Sequence, residues 1–260
     1  MLLAELSYMQ PTRIVALRVF LVCERQWALL VIKVAGTCKL LYNKLMQQMP
    51  ESLQNLLKTA RQKHLPKDQI VSYAGDYPHD VFILGDGIVK VHDINEQGND
   101  KILHLLKAPA LLPFAFFSNS SVPTQWFYTA LTDCDVWTLP AKELRAAMAK
   151  DFALTQFLTE WFSQEVHEML VRISSLGKTT AHDKIKSALT FLAVHHAHQR
   201  RSGWRRVLFP VSHQMLADMS GITRERAAIV MKELQDFGVV RNPRLTILEI
   251  NFEKLIANSA

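Results

Sequence analysis

The sequence has few cysteines and no long uninterrupted run of apolar residues. Its three cysteines among 260 residues, Cys23, Cys38 and Cys134, are isolated, which excludes a closely spaced iron–sulfur or zinc ligand set. Scarce cysteines and no secretory cleavage pattern are typical of a reducing compartment, so we expect a cytoplasmic protein. Charged side chains interrupt the apolar residues 2–45, so we predict no membrane-spanning helix and no membrane partner.

Signatures of catalysis are also missing. The sequence contains no P-loop, nucleophile elbow or metal-hydrolase helix, and no paired acids in a recognisable context. His195, His196 and His198 lie close together, but neighbouring residues of a helix face different ways, so we interpret the run as an exposed helix end. The sequence therefore predicts no catalytic residue, no metal and no cofactor, and a protein that is not an enzyme.

Positive charge is concentrated in the last third of the chain. Residues 1–177 carry 17 Lys and Arg against 17 Asp and Glu, whereas residues 178–260 carry 13 against 7, which accounts for the whole net charge of +6. A neutral body joined to a basic module is typical of proteins that bind nucleic acid phosphates. The basic module contains the arginine cluster Arg200, Arg201, Arg205 and Arg206. This cluster either contacts phosphate or forms a solvated loop.

The segment SHQMLADMSGITRERAAIVMKELQDFGVV, residues 212–240, has the residue types of a helix-turn-helix in the required places. Gly221 can adopt the positive φ that ends one helix, and Thr223 can cap the next. Ala217 allows the two helices to approach closely. The predicted apolar side consists of Leu216, Ile222, Val230, Met231 and Leu234, at spacings of three and four.

The second helix of this motif has an outward face suited to base edges. With Ala227 at the centre of the buried stripe, Glu225, Ile229 and Lys232 point away from the core and Arg224 lies on the flank. A guanidinium can pair with guanine, a carboxylate with cytosine and an apolar side chain with the thymine methyl group, while a lysine reaches phosphate. The predicted DNA-binding residues are Ser212, His213, Thr223, Arg224, Glu225, Arg226, Ile229 and Lys232.

Short β-rich runs flank the motif. Residues 207–211 are predicted to form a strand, and residues 239–240 and 245–250 a hairpin around a turn at residues 242–243. Together with the helix pair they predict a winged helix. Since a helix pair with a glycine turn is also a common packing unit, the alternative is a winged helix that contacts proteins rather than DNA.

The segment before the basic module has a different residue pattern, in which short β-rich runs alternate with Gly, Asp, Asn and Pro. Strands are predicted at residues 81–84, 88–91, 102–106, 126–131 and 135–139. The first two flank Asp86-Gly87, which is a signal for a type I′ hairpin. Regularly spaced short strands are typical of a small antiparallel barrel or roll.

A seam of mostly apolar side chains follows the predicted roll at alternating steps of three and four. It comprises Phe152, Thr155, Thr159, Phe162, Val166, Met169, Ile173 and Leu176. Such a heptad seam can pair with a copy of itself, so we predict a homodimer. The alternative is a helix that lies on its own roll, and Leu154, Leu158 and Trp161 form a second apolar stripe that could cover it.

These observations predict an α+β fold. Its parts are an N-terminal antiparallel, jelly-roll-like β-roll at residues 46–148, a long dimerisation helix at residues 149–178 and a C-terminal winged helix-turn-helix at residues 179–260. Residues 1–45 form an uncertain extension: an interfacial helix, an added packing helix, or an upstream segment with Met46 or Met49 as the true start. We favour the last interpretation.

Two long segments carry a family resemblance. The roll contains YAGDYPHDVFILGDGIVKVHDINEQGNDKILHLL and the winged helix LADMSGITRERAAIVMKELQDFGVV. In this order they resemble the Crp/Fnr family of bacterial transcription regulators, over about residues 64–253. The resemblance implies a homodimer whose roll senses a signal and whose winged helices bind palindromic double-stranded DNA and act on RNA polymerase. Arg224 and Glu225 match the family's base-reading pair, whereas Ile229 stands where an arginine is typical, so we expect an altered base preference.

The predicted sensor lacks the residues that hold a cyclic nucleotide in the family. Residues 110–130 contain neither the glutamate nor the arginine that binds its phosphate, and Thr124 takes the arginine position. A phosphate buried without a cation is strongly disfavoured, so we expect an effector other than cyclic nucleotide, of unknown identity. The aromatic residues here are Phe114, Phe116, Phe117, Trp126, Phe127 and Tyr128. We interpret them as roll core, with an apolar ligand pocket as the alternative.

Overall fold

A computed structural model describes residues 49–96, 98–117, 122–241 and 247–257. The expectations for residues 1–45 lie outside these ranges. The helices within the ranges fall short of the length and apolar character that a bilayer span requires.

Eight strands build the predicted roll. They are β1 Arg61–Leu65, β2 Ile70–Ser72, β3 Asp80–Asp86, β4 Ile88–Ile94, β5 Asp100–Lys107, β6 Ala110–Leu112, β7 Phe127–Ala130 and β8 Cys134–Pro140. They form two sheets with the orders β1-β8-β3-β6 and β2-β7-β4-β5, and the pairings are antiparallel. Alternate side chains of both sheets point inward to a common apolar core. The roll and its five predicted strands are confirmed.

The glycine-rich turn between β3 and β4 is not a hairpin, so that prediction is wrong. β3 pairs with β6 and β8, whereas β4 pairs with β5 and β7, and the chain crosses from one sheet to the other at this turn. Gly87 has a φ of 94°, and a Cβ there would lie 2.5 Å from the carbonyl oxygen of Asp133. The sequence signal marks a turn correctly, but a local pattern does not reveal which sheet the chain enters next.

Three helices surround the roll: α1 Glu51–Thr59, α2 Ala141–Met148 and α3 Phe152–Leu176. Asp151 caps α3, because its carboxylate accepts hydrogen bonds from the backbone nitrogens of Ala153 (2.9 Å) and Leu154 (3.3 Å). Leu154 and Leu158 are buried in a core that α3 shares with α1, α2 and the roll. One stripe of the long helix therefore covers the roll, as one of the two interpretations of this segment requires.

The last part of the described chain is a winged helix. Its elements are α4 Ala181–His195, β9 Ala197–Gln199, β10 Trp204–Val207, α5 His213–Ser220, α6 Arg224–Asp236, β11 Val240–Arg241, β12 Glu249–Asn251 and α7 Phe252–Ala257. The strand predicted at residues 207–211 is misplaced, since β10 ends at Val207 and Pro210 cannot donate to a ladder. The predicted pairing of two strands is confirmed, but the second strand begins at Glu249 and not at residue 245. Residues 242–246, which include the predicted turn, lie outside the described residues.

The roll and the winged helix share an apolar core. Ile88, Ile102 and Leu105 of the roll belong to the same buried cluster as Leu189 of α4 and Leu216 of α5. Burying such side chains stabilises the contact by about 1.5–3 kcal/mol each. The winged helix is thus held against β4 and β5 in this structure, and its orientation is defined by packing.

Candidate nucleic-acid interface

The turn of the helix-turn-helix has the predicted geometry. Ser212 caps α5 by accepting a hydrogen bond from the backbone nitrogen of Met215 (2.9 Å), and Thr223 caps α6 by accepting one from Arg226 (3.3 Å). Gly221 between the helices adopts the left-handed conformation, with φ 63° and ψ 43°. Ser212 therefore determines where α5 begins, Gly221 where α5 ends and Thr223 where α6 begins.

Helix α6 separates a buried side from an exposed one. Ala227, Val230, Met231 and Leu234 are buried in the domain core, which confirms the predicted stripe. Ile229, on the opposite side, is 48% exposed. The predicted DNA-binding residues of the helix and its cap are all exposed: Thr223, Arg224, Glu225, Arg226, Ile229 and Lys232. Six of the eight predicted DNA-binding residues are therefore accessible on α6 and its cap.

The other two predicted residues, Ser212 and His213, lie deeper. Both are half-buried, the hydroxyl of Ser212 is used in the cap of α5, and Nε2 of His213 is buried. Ser212 and His213 are consequently less accessible than the predicted residues of α6.

The arginine cluster before the motif has a mixed role. The guanidinium of Arg205 lies 3.6 Å from the ring centroid of Phe252 and donates to the carbonyl of Ala193 (3.1 Å). Arg200 and Arg201 are exposed. Arg205 therefore binds β10 to α4 and α7, and the accessible positive charge comes from its neighbours.

The hairpin arginine that the structure describes is also engaged within the fold. Nε of Arg241 lies 2.5 Å from a carboxylate oxygen of Glu249, and its guanidinium is 4.0 Å from the ring centroid of Trp204. These contacts connect β11 to β12 and β10. They leave α6 as the accessible charged element of the motif.

Helix α3 divides the predicted dimer seam between two faces. Phe162 and Met169 pack against the roll core. Phe152 and Ile173 are 80% and 62% exposed, and Leu170, which is outside the predicted seam, is 59% exposed. Of the remaining seam residues, Thr159 is exposed and Thr155, Val166 and Leu176 are half-buried. The sequence pattern did not separate the positions that face the roll from those that face outward.

The aromatic residues of the roll are buried to different degrees. Phe114, Phe116 and Tyr128 are buried, and the backbone nitrogen of Phe114 donates to the hydroxyl of Tyr128 (3.0 Å). Burial raises the pKa of Tyr128 well above its usual value. Thr124, which is predicted from the sequence to take the position of the family's arginine, is 1% exposed. The interpretation as roll core is confirmed for Phe114 and Tyr128. Phe116 is buried in the core that the roll shares with α1, α2 and α3, Phe117 and Phe127 are half-buried, and Trp126 is exposed.

The histidine run at the end of α4 is not the exposed helix end that the sequence predicted. His196 is 1% exposed, and its ring centroid lies 5.3 Å and 5.9 Å from those of Phe191 and Phe209. Burial lowers its pKa to about 3, with neighbouring cations adding to the effect. The prediction is wrong because the loop after β10 folds back over the helix end and brings Phe209 onto the imidazole.

Sequence reasoning missed a buried arginine at the junction of the domains. Arg172 of α3 is 2% exposed, and its guanidinium donates to the carbonyls of Ile102 on β5 (3.4 Å) and Met219 on α5. Burial lowers its pKa to about 10. The sequence feature that could have indicated its burial is the position of this arginine inside an otherwise apolar stretch, Met169 to Ile173.

Two family models match this architecture. A cyclic nucleotide-binding domain model matches residues 62–151, and a Crp-like helix-turn-helix domain model matches residues 185–257. The chain is 27% identical over 170 residues to the HTH-type transcriptional regulator ArcR of Staphylococcus haemolyticus, which covers 65% of this chain and 74% of that protein.

Solved structures share the fold. FixK2 of Bradyrhizobium japonicum superposes with a TM-score of 0.64 at 17% identity, over 76% of this chain and 96% of that one. A CooA variant of Carboxydothermus hydrogenoformans superposes with a TM-score of 0.65 at 17% identity, over 79% of this chain and 90% of that one.

The fold and the matches define a regulator that joins a cyclic-nucleotide-binding-like roll to a DNA-binding winged helix. The chain belongs to the Crp/Fnr family of transcription regulators. The relatives that it matches are described as transcription regulators.

Proposed function

We propose that the protein binds a palindromic DNA site as a homodimer, with the first half of α6 in the major groove. In this proposal residues 46–148 are the sensor, 149–178 the dimerisation helix and 179–260 the DNA-binding module of a cytoplasmic regulator. The supporting observation is that side chains at the start of α6 are exposed, while the opposite face of this helix is buried in the domain core. RNA polymerase is the further partner that such a regulator would contact.

The exposed side chains of α6 suit specific base contacts. Arg224 can donate two hydrogen bonds to O6 and N7 of guanine, Glu225 can accept from N4 of cytosine, and Ile229 can contact the thymine methyl group. Arg226 and Lys232 are placed to reach phosphates. The N-terminus of α6 adds the positive end of the helix dipole toward the same surface. Because Ile229 replaces a typical arginine, we expect a half-site that differs from the family's usual operator.

The exposed stripe of α3 suits pairing with a second copy. Phe152, Thr159, Val166 and Ile173 recur every seven residues, and exposed Leu170 lies beside them. Pairing along this stripe keeps Phe162 and Met169 in the roll and buries the exposed apolar side chains. Two winged helices related by this axis can read two half-sites about one helical turn apart.

The effector in this proposal is not a cyclic nucleotide. Buried Thr124 replaces the phosphate-binding arginine, and the ring of Tyr128 occupies space in the roll interior. Calorimetry with cyclic AMP and cyclic GMP tests this statement, and micromolar binding of either one would overturn it.

The DNA-binding proposal is tested with duplexes selected from a random pool by the full-length protein. We expect binding that weakens by about a thousandfold between 50 and 200 mM salt, because phosphate contacts release counterions. The selected sites should be palindromic. A protein that binds no duplex at low salt but captures a protein partner through α6 would support the alternative, a winged helix for protein contacts.

A further inference from the structure

Four titratable side chains from three elements meet where the roll, α3 and α4 join. Nε2 of His104 on β5 lies 2.9 Å from a carboxylate oxygen of Glu165 on α3. Nδ1 of His195, at the end of α4, lies 3.2 Å from a carboxylate oxygen of Glu168. A nitrogen of His104 and one oxygen each of Glu165 and Glu168 all lie within 4.8 Å of one another. We call these four residues the junction cluster.

The junction cluster concentrates negative charge in a largely buried place. The side chains of His104, Glu165 and Glu168 are 1%, 12% and 18% exposed. Two carboxylates this close repel each other strongly away from water unless a cation lies between them. Histidine protonation or a metal ion can supply that cation.

Two neighbouring side chains hold the carboxylate of Glu168. Nδ1 of His195 lies 3.2 Å from one of its oxygens, and the side-chain amide of Gln164 donates a hydrogen bond to the other (3.2 Å). Lys107 also faces this carboxylate. An ionised carboxylate is the form that binds a metal.

We propose that His104, Glu165 and Glu168 form a binding site for a divalent first-row transition metal ion. An imidazole nitrogen and two carboxylate oxygens are ligands that Zn²⁺, Mn²⁺ and Fe²⁺ accept, and the set contains no thiolate that would favour softer ions. Glu165 and Glu168 are one helical turn apart on the same face of α3, so both reach His104 from one side. Three protein ligands leave positions for water or a further ligand.

His195 is a positioning residue for this site. Its hydrogen bond to Glu168 orients a ligand carboxylate from outside, as outer-shell partners of metal ligands do. Since His195 belongs to α4, metal binding would connect the roll and α3 to the DNA-binding module. This regulatory part rests on the proposed DNA-binding function, whereas the metal site itself does not.

The site is tested by calorimetry on the full-length protein after chelator treatment, with Zn²⁺ and Mn²⁺ as probes and Mg²⁺ for comparison. We expect one Zn²⁺ or Mn²⁺ per chain and much weaker binding of Mg²⁺. Glu165→Gln keeps the shape of the side chain and should weaken Zn²⁺ binding at least tenfold. Glu168→Gln provides a second variant should the first not fold, as judged by circular dichroism.

A matched control is His64→Gln, because Nδ1 of His64 lies 2.8 Å from a carboxylate oxygen of Asp135 on the exposed surface of the roll. This variant removes a histidine–carboxylate pair outside the junction cluster and should bind Zn²⁺ as the unaltered protein does. His195→Gln should shift the visible absorption of the Co²⁺-loaded protein, whereas a merely structural role would leave that spectrum unchanged. Equal Zn²⁺ affinity in Glu165→Gln and the unaltered protein would overturn the site.

The regulatory part is tested separately by duplex binding with and without Zn²⁺. We expect the dissociation constant for DNA to change at least about fivefold, and Glu165→Gln to abolish that change. Metal binding without any change in DNA affinity would overturn the regulatory part and leave the metal site in place. DNA binding without metal binding would overturn the site and leave the proposed function in place.

Discussion

The surface of α6 and the junction between roll and winged helix use charged side chains in opposite ways. At the start of α6 they are exposed, with Arg224 and Lys232 on the accessible face. At the junction they are buried and bonded to other elements, as Arg172 is to the carbonyls of Ile102 and Met219. Exposed charge is available to a ligand, whereas buried charge stabilises one arrangement of the domains.

The largest expected effect is on stability, from loss of the buried arginine. Arg172→Ala removes donors from two carbonyls and leaves a cavity, so the free energy of unfolding should fall by about 3 kcal/mol. Arg224→Ala removes an exposed arginine and should change it by less than about 0.5 kcal/mol. Urea unfolding of both variants measures the difference. Equal effects would contradict the contrast between the two regions.

The same contrast between exposed and buried side chains exists at two adjacent residues of α3, since Ile173 is exposed and Arg172 is buried. Ile173→Glu places a charge in the proposed dimer seam and should weaken dimerisation at least about 100-fold, since the charge would have to be desolvated. The control is Val171→Glu, which alters an exposed apolar residue on a different side of the helix. Analytical ultracentrifugation compares the two, and a dimer that tolerates Ile173→Glu would exclude this seam.

Arg224→Ala should affect DNA binding rather than folding. Loss of a bidentate contact to guanine should weaken specific binding by about 1–3 kcal/mol and relax the sequence preference at that position. Arg61→Ala removes an exposed arginine from the roll and serves as the charge-matched control. Fluorescence anisotropy with a selected duplex measures both affinities. Similar losses in the two variants would indicate a general charge effect.

Ile229→Arg is expected to affect stability as little as Arg224→Ala does. Because Ile229 is 48% exposed, the free energy of unfolding should change by less than about 0.5 kcal/mol. The preferred half-site should nevertheless shift toward guanine at one position, since arginine pairs with guanine. Selection from random duplexes reads out the shift, and an unchanged preferred site would place this residue away from the bases.

The sequence was most informative where neighbouring residues determine the structure. Ser212, Gly221 and Thr223 mark the helix ends by local chemistry, so the motif and the buried stripe around Ala227 were predictable. Prediction failed where distant segments meet. The division of the α3 seam depends on which side the roll occupies, and the burial of His196 depends on the loop that carries Phe209.

The amino-acid sequence alone determined the winged helix, the roll of short strands and the family, because capping residues, turns and hydrophobic periods act over a few positions. Tertiary structure decided which chemistry-bearing residues meet. His104 is 61 residues from Glu165 in the chain, yet the two are hydrogen-bonded, and this contact exists because α3 packs against β5. Hydrophobic periodicity indicates which face of a helix or strand is buried, but only the packing of the whole chain determines which other element covers that face.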